Sequence, residues 1–331
     1  MKRRTLVTAV AGAIALSPVP IVAQSPVRWD FYTFLGLSHP VAILLTEYLS
    51  EVRKRSNGEL VITLKPAGEL PFKPNEVVKV TGDGLVQMGE ALTVFITGTI
   101  PMTGIGALPM LLVSQDEMRK ALPIIRKHMA KEFDKAGVTP VMHFSWPLTG
   151  LFGSGKPVKT LKDIAGRKFR TISPQQAELL KRLGASSVSL ATAEVAVAMD
   201  RGTVEGMMTT AHSIQGSKWD DLVKWGFLGD FHGADDFIIV NKAAYAKLSP
   251  AARKALDDVS REWDARMTKE EFDAEAKSRA ELKGKLELTA MSKADAATLT
   301  EQMKDYWVSW AQGVGPEAVA MLREVRAAVG K

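Results

Sequence analysis

Residues 160–185 read TLKDIAGRKFRTISPQQAELLKRLGA, and the fold follows from how that stretch divides. Gly166 to Ile172 alternates polar and apolar side chains, the period of a half-buried strand. Ser173-Pro174 interrupts it: a proline suits the first helical turn, and a serine before it can cap the free amides. Residues 175–183 then set Leu179, Leu180 and Leu183 on one face, and Gly184 stops the helix. Arg170 thus falls near the carboxyl end of a strand, just ahead of a helix start. In open α/β sheets that crevice is where ligands bind, and a guanidinium there offers a planar fork of donors to a carboxylate. An arginine so placed is also an ordinary solvated or salt-bridged residue in many folds. The stretch alone leaves both readings open.

Upstream, strand and helix periods alternate in the same way. Residues 27–34 (VRWDFYTF) are strand-like and aromatic, 41–52 form an amphipathic helix, and 59–64 (ELVITL) make a second strand. That β-α-β order implies a parallel pair with a right-handed crossover. A helix over 76–84 and a strand from Val86 follow, so the strand ends at Thr33-Phe34-Leu35 and Glu90-Ala91-Leu92 should face one cleft. Residues 97–106, rich in Gly and Thr, read as a long loop beside it. A helix over 115–136 and a strand over 140–145 lead to Trp146-Pro147-Leu148-Thr149-Gly150, a candidate crossing between two domains. A return crossing is expected at 233–236, before the strand 237–240. Residues 250–284 form one long helical pattern, which by itself reads as an ordinary solvated surface helix, and 298–311 and 316–329 give two more helices. The class is α/β.

The 331-residue chain is long enough for two domains and has no cysteine, which excludes disulfides, thiol nucleophiles and cysteine-ligated metals. Met1-Lys2-Arg3-Arg4, an apolar run from Leu6 to Leu16 and Val22-Ala23-Gln24 read as a secretory signal peptide over 1–23. The run is too short to span a bilayer and no cysteine follows it, so neither direct membrane insertion nor a lipid anchor is expected. The leader holds three of the six excess positive charges, leaving about +3 on the remainder, too weak a field to point to nucleic acid.

The stretch from Thr160 to Gly206 resembles the signature region of the periplasmic substrate-binding proteins of TRAP transporters. The resemblance rests on Lys162-Asp163-Ile164-Ala165-Gly166-Arg167-Lys168-Phe169-Arg170, Thr192-Ala193-Glu194-Val195 through Met199, and Gly202-Thr203-Val204-Glu205-Gly206. It implies a two-lobed periplasmic-binding-protein architecture with a small, mostly parallel sheet in each lobe and a long helix spanning the hinge. One lobe would take 24–146 and 236–280, the other 147–235 and 281–331. It implies that Arg170 clamps the ligand carboxylate, and that a TRAP permease in the membrane receives the ligand from a soluble protein of the periplasm. The family's usual asparagine near Thr209 is replaced by Met207-Met208-Thr209-Thr210, and Thr192 stands where an aromatic is common. The secondary candidates are Trp146, Thr209, Thr210, Thr192, Phe34, Glu90 and backbone amides near Pro174. Trp146 is equally a cleft wall or hinge packing.

Other motifs fall short. Gly150 to Lys156 matches the first seven positions of a phosphate loop, but Pro157 stands where Ser or Thr is required. His232 with Asp230, Asp235 and Asp236 resembles an acidic metal cluster without rigid ligand spacing, so neither metal nor cofactor is expected. Relatives that bind dicarboxylates use a second arginine about twenty residues before Arg170. Nothing basic stands between His143 and Lys156. One clamp and an apolar remainder predict a monocarboxylate, 2-oxo or aromatic, unless Lys156 or Arg167 folds inward. The rival reading is a secreted enzyme acting on a small organic acid in the same cleft; no recognised nucleophile–base signature supports it.

Overall fold

The computed structural model describes residues 25–331, so the expected leader lies outside the described residues. The first part of the chain runs β1 (Val27–Tyr32), α1 (Pro40–Arg55), β2 (Leu60–Lys65), α2 (Val77–Gly82), β3 (Met88–Leu92), α3 (Thr93–Ile96), α4 (Gln115–Lys135) and β4 (Val138–Trp146). After the crossing come β5 (Gly150–Gly153), β6 (Lys168–Thr171), α5 (Pro174–Arg182), β7 (Ser186–Ser189), α6 (Val195–Asp200), β8 (Gly206–Thr209), α7 (Ala211–Gly216) and β9 (Trp225–Leu228). The chain then returns as β10 (Ala234–Asn241), followed by α8 (Lys242–Ala246), α9 (Pro250–Leu282), β11 (Glu287–Ala290), α10 (Lys293–Val314) and α11 (Pro316–Val329).

Two sheets result, ordered β2-β1-β3-β10-β4 and β11-β9-β5-β8-β6-β7. Within each, one strand runs against both neighbours: β10 in the first and β5 in the second. The reason lies in the crossings. A strand that has just arrived from the other lobe starts at the cleft and runs outward, whereas the other strands end there. The carboxyl ends of β1, β3 and β4 therefore meet those of β6 and β8 across one cleft, as the βαβ order requires. The sequence 150–156 forms β5 and a turn instead of a strand–loop–helix, which removes the phosphate-loop reading.

The two crossings bind each other. Thr149 donates its amide to the His232 carbonyl at 2.8 Å, and Phe231 donates to the Thr149 carbonyl at 3.0 Å. The hinge is thus a short two-stranded ribbon. The 33-residue α9, about 50 Å long at 1.5 Å per residue, packs on α1 and β4 of the first part and on α7 of the second. Arg279 on α9 ties both crossings, reaching the Leu148 carbonyl at 3.3 Å and Asp230 at 2.7 Å.

The loop expected at 97–106 is compact: residues 101–107 form a tight 3-10 run that packs against α5 and α10. The C-terminal helices, expected with the second lobe, lie against α4 and that run. Trp307 donates its indole N–H to the Pro109 carbonyl at 2.7 Å, while Arg182 of α5 reaches Asp305 at 2.9 Å. A buried indole needs an acceptor, and only this docking supplies one. Trp307→Ala is expected to cost about 3–5 kcal/mol of stability, measured by denaturant unfolding.

Candidate functional site

The strand read from residues 166–172 is β6, and the helix is α5, capped by Ser173, whose hydroxyl accepts the Gln176 amide at 3.2 Å. Arg170, the third residue of β6, is 3% exposed. Its Nε donates to the Leu190 carbonyl at 3.0 Å, and its buried Nη2 has no partner. Burial lowers its pKa to about 9, against the weaker opposing pull of Glu194. An arginine that is buried, fixed by one bond and left with free donors is poised for an anion.

Arg170 lines a cavity between the lobes. Phe34, Leu35, Phe95 and Trp146 come from the first-sheet side, and Ile172, Thr192, Met208, Thr209, Thr210 and Trp219 from the second. The enclosed space is small, about 50 Å3, and a vestibule of about 530 Å3 shares Phe34, His39, Thr192 and Trp219 with it. Six of the sequence candidates, Arg170, Trp146, Thr209, Thr210, Thr192 and Phe34, therefore converge. Phe34 packs edge-on against Phe95 at 5.0 Å and lies 6.2 Å from Trp146. Trp146 is both a cleft wall and a hinge element, since it stacks on His39 at 5.8 Å.

Two candidates fall elsewhere. Pro174 is exposed on the first turn of α5, and Ile172 and Gln176 take its expected place. Glu90 is 1% exposed and lies beneath the sheet, where Thr33 donates to it and Asp236 is its neighbour. Burial, the largest influence, pushes the Glu90 carboxyl up to about 8 and drives Asp236 well above the usual range, so the pair retains a proton at neutral pH. Glu90 shares the α9 face of β3 with Leu92, but it sits two residues inside the strand, so Leu92 at the strand end lines the cavity and the Glu90 carboxyl lies under the sheet. Lys156 and Arg167 do not line the cavity: Lys156 is exposed, and Arg167 lies between the Phe169 and Trp225 rings and pairs with Glu205.

The acidic loop around His232 disperses. His232 bonds Gly233 and Gln176, Asp235 meets His143 at 3.1 Å, Asp236 meets Glu90, and Asp230 meets Arg279. Among the described residues no group of three or more His, Asp or Glu side chains is arranged to hold a metal ion.

Sequence reading missed His39, Gln176 and Trp219 at the site. Gln176 was legible as an inward helix position; the other two depend on lobes meeting. His39 belongs to the first part and His212 of α7 to the second, and their rings lie 5.5 Å apart beside Trp146. Burial holds His39 well below the ordinary histidine range, with the His212 charge adding to it. Gly216 at the end of α7 leaves no room there: a Cβ would stand 2.8 Å from His39 Cδ2 and 2.9 Å from Pro40 Cδ. Gly216→Val is expected to wedge the lobes apart, weakening ligand binding about tenfold or more while the melting temperature changes little. Small-angle scattering should report a larger radius. A larger open groove of about 970 Å3 runs between α4 and α9, rimmed by the Arg126–Asp264 pair and remote from Arg170.

Two α/β lobes, a ribbon hinge and a buried, part-satisfied arginine between them are the architecture of a solute-binding protein. The chain belongs to the family described as bacterial extracellular solute-binding protein, family 7 (DctP), whose profile matches residues 31–313. A solute-binding protein of Albidiferax ferrireducens is 26% identical over 226 residues, 67% of this chain and 66% of that protein. The 2,3-diketo-L-gulonate-binding periplasmic protein YiaO of Escherichia coli is 24% identical, covering 77% of this chain and 78% of that one. Among solved structures, DctP6 of Bordetella pertussis, an extracytoplasmic solute receptor binding pyroglutamic acid, superposes with a TM-score of 0.85 at 25% identity. It covers 91% of this chain and 100% of its own. Among the described residues no helix is long and apolar enough to cross a membrane.

Proposed function

We propose that this protein is a periplasmic carrier that captures a small monocarboxylate, 2-oxo or aromatic, between its lobes and hands it to a TRAP-type permease. The observation that carries the reading is Arg170: buried, short of partners, and the one Arg, Lys, Asp or Glu among the residues lining the cavity. The enclosed cavity holds no second fixed charge: Arg167 is spent on Glu205 and its two flanking rings, and Lys73 and Lys218 line only the outer vestibule. Phe34, Phe95 and Trp146 offer an apolar body a place to pack, and Tyr32 and Phe72 extend it into the vestibule. The pyroglutamate-binding relative is a monocarboxylate receptor of the same fold, which supports the class.

Arg170 would hold the carboxylate in a bidentate pair, and closure about the 146–149 and 229–233 crossings would remove it from water. On this reading the protein binds without turnover. Calorimetry with a panel of organic acids tests it, together with mass spectrometry of ligand carried through purification. Saturable binding of monocarboxylates, with no product formed, is expected. Ligand at a hundred times its Kd should stabilise the fold by about 2.7 kcal/mol. Succinate or malate binding more tightly than every monocarboxylate tested would overturn the substrate class, and chemical conversion of a bound acid would overturn the carrier role.

A further inference from the structure

One chain of hydrogen bonds at the cavity wall has both ends fixed by the backbone. The Ile172 amide donates to Gln176 Oε1 at 2.8 Å, Gln176 Nε2 lies 3.2 Å from His232 Nε2, and His232 Nδ1 lies 2.5 Å from the Gly233 carbonyl. A backbone N–H can only donate and a backbone C=O can only accept. The Ile172 end therefore fixes which side of the Gln176 amide is oxygen, and the Gly233 end fixes the proton of His232 on Nδ1. His232 Nε2 is left as an acceptor, and one Gln176 N–H donates into it. Every member has a single allowed orientation, with no need to see hydrogens. Both side chains are at most 1% exposed, and both line the cavity with Arg170. The amide carries a second N–H, and that one remains for a ligand.

We infer that Gln176 is a specificity-determining residue, held by His232 so that it gives one N–H to an uncharged oxygen of the ligand, and that the site selects 2-oxo, 2-hydroxy or lactam monocarboxylates over α-amino acids. The inference rests on the carboxylate reading of Arg170. Its second half follows from what the wall lacks. No aspartate or glutamate lines the cavity, and both histidines there are held neutral by burial, His232 near pKa 4. An α-ammonium entering beside Arg170 would lose its hydration, meet a like charge and find no counterion. A 2-oxo, 2-hydroxy or lactam oxygen in that position instead meets an oriented donor, and a site built to bond an oxygen discriminates against analogues that lack it.

Matched acids decide the matter, measured by calorimetry on the processed protein near pH 7: L-pyroglutamate against L-proline, and L-lactate against propionate and L-alanine. Pyroglutamate should bind at least about a hundredfold more tightly than proline. Lactate should exceed propionate about tenfold, with alanine weakest. Gln176→Leu should bring lactate down to the level of propionate, closing the tenfold gap between the two. Amino acids binding as well as their partners would overturn the inference while leaving the carboxylate clamp in place. Equal loss of lactate and propionate in Gln176→Leu would remove Gln176 from the recognition of the second oxygen. Failure of every acid to bind would overturn the clamp itself, and this inference with it. If Gln176→Leu does not fold, the wild-type pairs still decide the selectivity.

Discussion

Arg170→Ala is expected to weaken binding of the carboxylate at least a hundredfold, and Arg170→Lys to recover little of that loss. Two charge-assisted bonds at about 1.5–3 kcal/mol each set the scale, and an ammonium cannot reproduce the planar fork that Leu190 holds in place through Nε. The same residue should behave in the opposite way toward folding. Its Nη2 is buried without a protein partner, and burial draws its pKa down to about 9. Arg170→Met, similar in volume and apolar, should stabilise the unliganded protein by about 1–3 kcal/mol while abolishing binding. Calorimetric titration and denaturant unfolding on the same variant separate the two effects. A variant that loses stability together with binding would show that Arg170 serves the fold more than the ligand.

The second large effect concerns the buried ion pairs beneath the hinge. His212 stands with Nδ1 3.1 Å from Glu275 and Nε2 3.1 Å from Glu271, the latter an ion-pair contact too poorly aligned for a hydrogen bond. His212→Leu would leave Glu271 buried and unpaired, at a cost of about 3–5 kcal/mol. Adding Glu271→Gln should restore part of that loss, which a double-mutant cycle reads directly. The pH dependence has a definite sign. Burial by itself lowers the His212 pKa, but Glu271 and Glu275 outweigh it and hold the pKa at about 9. A pKa above its unfolded value of about 6.5 gives stability that is whole below that pH and lost as pH rises through about 9. Glu90, pushed up to about 8 mainly by burial, has the same slope from about pH 4.5 to 8. Glu275, which His212 and Arg279 hold near 2 in spite of burial, has the opposite one: its share is present above about 4.5 and lost as pH falls toward 2. Thermal stability should therefore peak on the acid side of neutrality and decline toward pH 9. In His212→Leu the alkaline decline should be shallower.

Much of this was legible in one stretch. Gly166, Ser173-Pro174 and Gly184 punctuate residues 160–185 so firmly that the strand, the cap and the helix could be placed within a residue or two, and Arg170 with them. The βαβ pattern before residue 65 set the parallel pairing of β1 with β2 for the same reason: both are local periods backed by turn chemistry. Strand direction in β5 and β10 was not legible, because a four- or eight-residue apolar run reads alike in either direction. The Gln176–His232 pair and the His39–His212 contact span 56 and 173 positions and depend on how the lobes close, which no local period encodes. Glu90 failed for a subtler reason. The cavity touches β3 only at its last residue, Leu92, whereas Glu90 on the same face lies two residues, about 7 Å, further in beneath the sheet.

The central place of β10 in the first sheet bears on how the chain comes into being. Its seat between β3 and β4 leaves those two strands apart until Ala234–Asn241 has been made. Residues 25–146 therefore hold two fragments of a sheet that only β10 joins. At about 5–20 residues per second on the ribosome, the gap from Trp146 to Asn241 is a delay of about 5–20 seconds. The strand that follows the second crossing thus also sets the clock: the first sheet can be completed only when nearly three quarters of the chain has been synthesised.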